Sequence, residues 1–178
     1  VISDPAWLRH YWNADVIGGP MLDLHIHDAH FIRLLFDMPT AVSTTGRTRG
    51  KLAEYWTTQF RFKQNFAVTA TSGTINQQGR SFDHGFEIHL EKATLLFQFA
   101  VIGDQAKYLC PPTILDDRGK AKTAKMPEGD PMMNAFHAEL KAVVQAVSTG
   151  KKNNVLGADL ARDAIAICQA QTKSLRQG

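Results

Sequence analysis

The strongest constraint on this chain is a run of strict alternation between residues 54 and 62. Trp56, Thr58, Phe60 and Phe62 fall on one side, and Tyr55, Thr57, Gln59 and Arg61 on the other. Successive side chains of an extended chain point to opposite faces, so the run predicts a strand with one buried face. The pattern continues over residues 66–74, and Phe86, Ile88 and Leu90 alternate with Glu87 and His89. Residues 93–102 differ. Leu95, Phe97, Phe99 and Val101 form one side, while Leu96, Ala100 and Ile102 make the other mostly apolar as well. A strand apolar on both sides must be covered on both, within the chain or by another subunit. Residues 41–115 therefore read as a region of strands.

Helical spacing brackets this region. Residues 21–36 predict a helix closed by Pro39, with Asp37 at the position of a C-cap glycine. At the far end, Asp130 is an N-cap and Pro131 the first helical residue. Phe136, Leu140, Val143 and Val147 then form one stripe, which Gly150 ends. Leu160, Ala164, Ile167, Cys168 and Leu175 stripe a second helix, with Arg162, Gln169 and Lys173 facing away. Both stripes are expected to face a core. Residues 1–20 read as an irregular lead and residues 116–130 as one long loop. Helices at both ends of a run of strands predict an α+β fold: two layers, an antiparallel-rich sheet with helices on one face. A length of 178 residues fits a single domain.

Composition removes several function classes. A hydrophobic content of 44% with a net charge of +3 argues against disorder. No uninterrupted apolar stretch is long enough for a membrane helix, so no membrane partner is expected. The densest basic stretch, Arg118, Lys120, Lys122 and Lys125, is diluted by Asp116, Asp117, Glu128 and Asp130. It reads as a solvated loop, and no nucleic-acid partner is expected. Cys110 and Cys168 lie far apart and outside any C-x-x-C pattern. They read as reduced core thiols of an intracellular, cytoplasmic protein, with a single disulfide as the alternative. The chain opens at Val1 with no visible secretory leader.

The candidate chemistry lies between Gly18 and His30, where three of the seven histidines occur within six residues. On a helix at about 100° per residue, Asp23, His27 and His30 share a sector roughly 60° wide. Apolar residues from Leu22 to Phe36 cover most of the remaining circumference, which predicts a largely buried helix with a narrow polar stripe. His25 and Asp28 fall elsewhere on it. Three readings are open on these residues. In the first, Asp23 caps the helix and the histidines are structural. In the second, His25 and His27 form an H-x-H metal pair. That pair projects to one side only in a strand, and His10, His84, His89 and His137 add no ligand spacing. In the third, Asp23 and His27 form a proton-transfer pair one turn apart.

The segment resembles the signature of the glucose–fructose oxidoreductase / inositol dehydrogenase / MocA (Gfo/Idh/MocA) family, whose second domain carries a Gly-Gly run followed by D-x-x-x-H on a helix. Gly18, Gly19, Pro20, Leu22, Asp23, Ile26, His27, Asp28, Arg33, Leu34, Leu35 and Pro39 carry the likeness. The strand series and the two later helices are similar in order to that family's C-terminal domain, so the resemblance covers nearly the whole chain. It implies an open-faced α+β domain whose sheet mediates homo-oligomer contacts, and a sugar, polyol or similar small molecule as substrate. It also implies NAD or NADP as the cofactor of the parent protein, His27 as general acid/base, and Asp23 as its orienting or substrate-binding partner. The family often has an acid where His30 stands, so His30 becomes a candidate substrate contact. The frequent glycine near the helix end is Asp37 here.

A dinucleotide site needs a glycine-rich turn at a helix start, and no G-x-G-x-x-G occurs in the chain. The resemblance therefore makes residues 1–178 the substrate and oligomerisation half of an oxidoreductase. The Rossmann domain and the family's Glu-Lys-Pro lysine would lie elsewhere, with no cofactor-binding residue and no metal ligand here. Alone, such a half should be inactive. The alternative is a binding or scaffolding domain of the same fold without chemistry. Trp7, Tyr11 and Trp12 could stack on a sugar ring or simply anchor the lead segment.

Overall fold

A computed structural model describes residues 1–177, apart from the side chains of residues 131 and 132. In chain order the elements are β1 (Ile2–Ser3), α1 (Pro20–Asp23), α2 (Ile26–Phe36), β2 (Ala41–Arg49), β3 (Leu52–Arg61) and β4 (Val68–Ile75). There follow β5 (Arg80–His89), β6 (Ala93–Ile102), β7 (Gln105–Asp116), β8 (Ala121–Thr123), α3 (Pro131–Thr149) and α4 (Ala158–Gln177). The fold is α+β, and strand pairing within each of its two compact units is antiparallel. One unit takes residues 5–74 and 139–178, the other residues 1–4 and 75–138.

The first of these units holds the hydrophobic core. β3 lies between β2 and β4, and the alternation from Trp56 to Phe62 sorts as expected: Trp56, Thr58, Phe60 and Phe62 are buried, Thr57, Gln59 and Arg61 exposed. Gly46 pairs with Trp56, and a Cβ there would come within 2.3 Å of the Tyr55 carbonyl, so only glycine lets β2 approach. α4 covers the apolar face with Leu160, Ala164, Ile167 and Cys168, as its spacing predicts. Met21, Ala29 and Ile32 complete the cluster. The free amide of Thr44 on β2 donates to Ser174 Oγ of α4 at 3.0 Å, which satisfies a strand-edge group with a helix side chain. The opposite face stays open and polar, with Thr57 and Thr71 sharing a hydroxyl hydrogen bond across β3 and β4.

The second unit is a sheet in the order β1-β5-β6-β7-β8. Phe82, His84 and Phe86 of β5, Phe97 and Phe99 of β6 and Tyr108 of β7 have ring centroids 5.1–6.3 Å apart. The strand expected to be apolar on both sides is strongly so on this face alone. Its other face is mixed, because Leu96 and Ala100 sit among Asp83, Glu87, Lys107 and Thr113.

Several expectations are corrected. The predicted helix over residues 21–36 is two helices, with a turn at Leu24–His25. Its circumference is less buried than its composition suggests: Leu22, Phe31, Leu34 and Leu35 are at least a third exposed. The loop over residues 116–130 contains β8, and the irregular lead contains β1. The stripe of α3 does not face a core in this structure; Phe136, Leu140, Val143 and Val147 are all exposed. Asp130 does cap α3, with Oδ1 accepting from the Met133 amide at 3.0 Å. Cys110 and Cys168 are free thiols, but only Cys168 is buried.

Candidate functional site

Gly18 and Gly19, at φ 84° and 70°, turn the lead segment into α1, and Pro20 supplies its first helical residue. The Pro20 carbonyl then accepts two amides, from Leu24 at 3.1 Å and from His25 at 2.9 Å. This one-residue bulge ends α1, and the ladder resumes with Ala29 donating to the His25 carbonyl at 2.9 Å. α2 ends at Asp37, a non-glycine residue at φ 68°. Two contacts hold it there: Arg33 Nη1 lies 2.8 Å from Asp37 Oδ1, and that oxygen also accepts from the Met38 amide at 2.9 Å.

Asp23 is the last residue of α1 and His27 lies in the first turn of α2. Both side chains are exposed. They stand on either side of the turn, and among the described residues no hydrogen bond joins them. His30 is half-buried, and its Nε2 is closed off from solvent without a hydrogen-bond partner among the described residues. An orphaned buried nitrogen of this kind costs about 1–3 kcal/mol. An open cleft of about 380 Å³ lies at the other end of α2, against Arg33, Asp37 and Phe66, and includes neither Asp23 nor His27.

The imidazole that the sequence reading sets aside is the one the core engages. His25 is fully buried. Its Nδ1 donates to Asp28 Oδ2 at 3.0 Å, its ring meets Trp56 edge-on at 5.4 Å, and its Nε2 lies against the Gln171 amide of α4. Met21, His25, Ala29 and Ile32 share one helical face at about 100° per residue, so the buried stripe itself was the signal for His25. Gln171 carried the same signal, a polar residue continuing the apolar stripe of α4.

Around this network the charges are paired. Asp163 of α4 accepts from Arg33 Nε at 2.8 Å and from Arg162 Nη2 at 2.7 Å. Arg162 first, then Arg33, holds the Asp163 carboxyl below the usual carboxylate range. Burial, helped by the nearby Asp28 charge, pushes the Cys168 thiol up to about 12. Glu54, buried on β3, takes Arg47 and both Nε and Nη2 of Arg49, whose guanidinium sits 4.0 Å over the Trp12 ring. Tyr11 is 1% exposed and anchors the lead segment, whereas Trp7 is 84% exposed. Among the described residues no group of three or more His, Cys, Asp or Glu side chains is placed to hold a metal ion, and no helix is long and apolar enough to cross a membrane.

Residues 3–96 match the profile of the GFO/IDH/MocA C-terminal domain. No curated protein sequence matches the chain. Among solved structures, UDP-N-acetylglucosamine 3-dehydrogenase GnnA from Acidithiobacillus ferrooxidans aligns over 99% of this chain and 52% of its own, at 13% identity and a TM-score of 0.65. Levoglucosan dehydrogenase in complex with NADH and levoglucosan aligns over 96% of this chain and 52% of its own, at 17% identity and a TM-score of 0.70. Biliverdin reductase from Synechocystis sp., in complex with biliverdin and NADP+, aligns over 95% and 50%, at 12% identity and a TM-score of 0.55. The chain thus spans about half the length of each of these structures, and the likeness is one of fold.

Proposed function

Because the chain belongs to the GFO/IDH/MocA family and carries its C-terminal domain, we propose that it is the substrate-binding and oligomerisation half of an NAD(P)-dependent oxidoreductase acting on a sugar, polyol or related small molecule. The dinucleotide is assigned to a separate nucleotide-binding domain, since the Gly18-Gly19 turn forms no cradle for it. Gly18 and Gly19 precede a helix of only four residues, and their open sides pack against Leu22 and Leu52. When bound, the cofactor supplies the hydride acceptor or donor.

This chain's own part is proton transfer. In the oxidative direction the His27 imidazole accepts the proton of the substrate hydroxyl, and in the reductive direction it returns that proton. Asp23 orients the imidazole or binds a neighbouring hydroxyl. His30 is a further candidate contact, because a polar substrate group would satisfy its enclosed Nε2. The observation that carries the reading is the exposure of Asp23 and His27 on two short helices whose opposite face is locked into the core. The fold of levoglucosan dehydrogenase and of UDP-N-acetylglucosamine 3-dehydrogenase supports a sugar-like substrate.

The test is His27→Ala in the enzyme that carries this domain. Turnover at saturating substrate should fall by roughly 10²–10⁴, the usual worth of a positioned acid/base. Unchanged kcat would remove His27 from the chemistry and leave a binding or scaffolding domain. Oligomerisation is assigned to the aromatic face of β5–β7, where six rings gather on one side of the sheet.

A further inference from the structure

His25 sits at the one place where the helix carrying the candidate chemistry is broken. The Pro20 carbonyl serves both Leu24 and His25, so one extra residue is accommodated between α1 and α2. A bulge of this kind has poorer backbone geometry than a regular helix and persists where side-chain contacts hold it. Here the contacts come from the His25 side chain. Asp28 fixes its Nδ1–H, and the ring packs on Trp56. The Gln171 amide stands side-on to Nε2, with its nitrogen at 3.0 Å and its oxygen at 3.2 Å. Its nitrogen is placed to donate to the ring nitrogen and its oxygen to accept from it. The same Gln171 nitrogen donates to Thr58 Oγ1 at 2.7 Å, and Thr58 shares a hydrogen bond with Thr44 Oγ1 at 3.0 Å. The turn is thereby tied through α4 to β3 and β2. With both ring nitrogens engaged and no exposed surface, His25 cannot itself reach a substrate.

We infer that His25 is a positioning residue: with Asp28 and Gln171 it pins the α1/α2 turn against α4 and so fixes where Asp23 and His27 stand on either side of it. The catalytic consequence rests on the reading of His27 as acid/base; the pinning does not. A buried network of this kind behaves as one unit, so removing either end should release the turn.

The experiment uses Gln171→Leu, Asp28→Asn and His25→Leu in the enzyme that carries this domain. Amide hydrogen exchange over residues 20–30 and steady-state kinetics are measured together. Gln171→Leu should raise exchange at the Leu24, His25 and Ala29 amides by about tenfold or more, by loss of local protection. It should also lower kcat by about 10–10²-fold with KM within about twofold, the cost of a small misplacement of a catalytic group. Asp28→Asn, at a half-exposed side chain, should do the same to a smaller degree, and it keeps the test alive if His25→Leu does not fold. The double variant His25→Leu/Gln171→Leu should be no worse than the poorer single one. Unchanged exchange at the turn in both Gln171→Leu and Asp28→Asn, or additive losses in the double variant, would overturn the inference. Raised exchange with full turnover would uphold the pinning and refute the role of His27 instead.

Discussion

Asp163 shows how much of this domain's acid sensitivity can sit on one carboxylate. Arg162 and Arg33 both bond it, and its carboxyl is held below the range it would have in the unfolded chain, near 3.8. A lowered native value means that the pair stabilises the fold above about pH 4 and that this contribution is lost as pH falls through the native value. Asp163→Asn should cost roughly 1.5–3 kcal/mol at neutral pH, the usual worth of hydrogen bonds to charged groups. Urea unfolding of both proteins between pH 2.5 and 7 checks this, and the gap between them should close at the acid end. A constant gap would mean that packing, not charge, is lost. The site residues divide in the same way by what a sequence can carry. Asp23, His27 and His30 are singled out by a spacing that defines a shared sector on an unbroken helix, and the turn at Leu24–His25 puts Asp23 and His27 on separate helices. The stripe Met21, His25, Ala29 and Ile32 marks His25 as buried, but its partner Gln171 lies 146 positions away and nothing local announces that contact.

Helix α4 was read from its stripe to within a few residues, since an apolar face at helical spacing has one use next to a sheet. Ile167, 1% exposed in that stripe, should cost about 2–5 kcal/mol when cut to alanine, measured by thermal or urea unfolding; a loss under about 1 kcal/mol would mean the site collapses around the gap. α3 has an equally clear stripe and leaves it exposed. Periodicity states that a face is apolar and is silent on what covers it. β7 falls inside the region read as strands but shows no alternation of its own, and its Pro111 and Pro112 cannot donate to a ladder. The structure absorbs both in a bulge, since the pairing steps from Leu96↔Thr113 to Gln98↔Cys110 and sets two residues of β7 opposite one of β6. The break between α1 and α2 left no mark either, because Met21, His25, Ala29 and Ile32 keep regular helical spacing through it.

For the chain as a whole, the profile of the GFO/IDH/MocA C-terminal domain matches residues 3–96, and the fold aligns with about half of a longer dehydrogenase structure. The aromatic face of β5–β7 is where a second copy is expected to dock. Phe86, 37% exposed and 5.6 Å from the Phe97 ring, is the probe of that face, with circular dichroism to check that the variant keeps the fold. Phe86→Glu should weaken self-association at least about tenfold by light scattering or sedimentation, the usual effect of losing a buried aromatic anchor. A strictly monomeric wild-type protein at high concentration would refute the interface. Finally, the two thiols differ in more than location. Cys168 is enclosed and stays protonated far above neutrality, while Cys110 lies half-exposed on β7. At pH 7 an electrophilic dye therefore has one reachable attachment point, so the native sequence already carries a single-site reporter on the same sheet as the ring cluster.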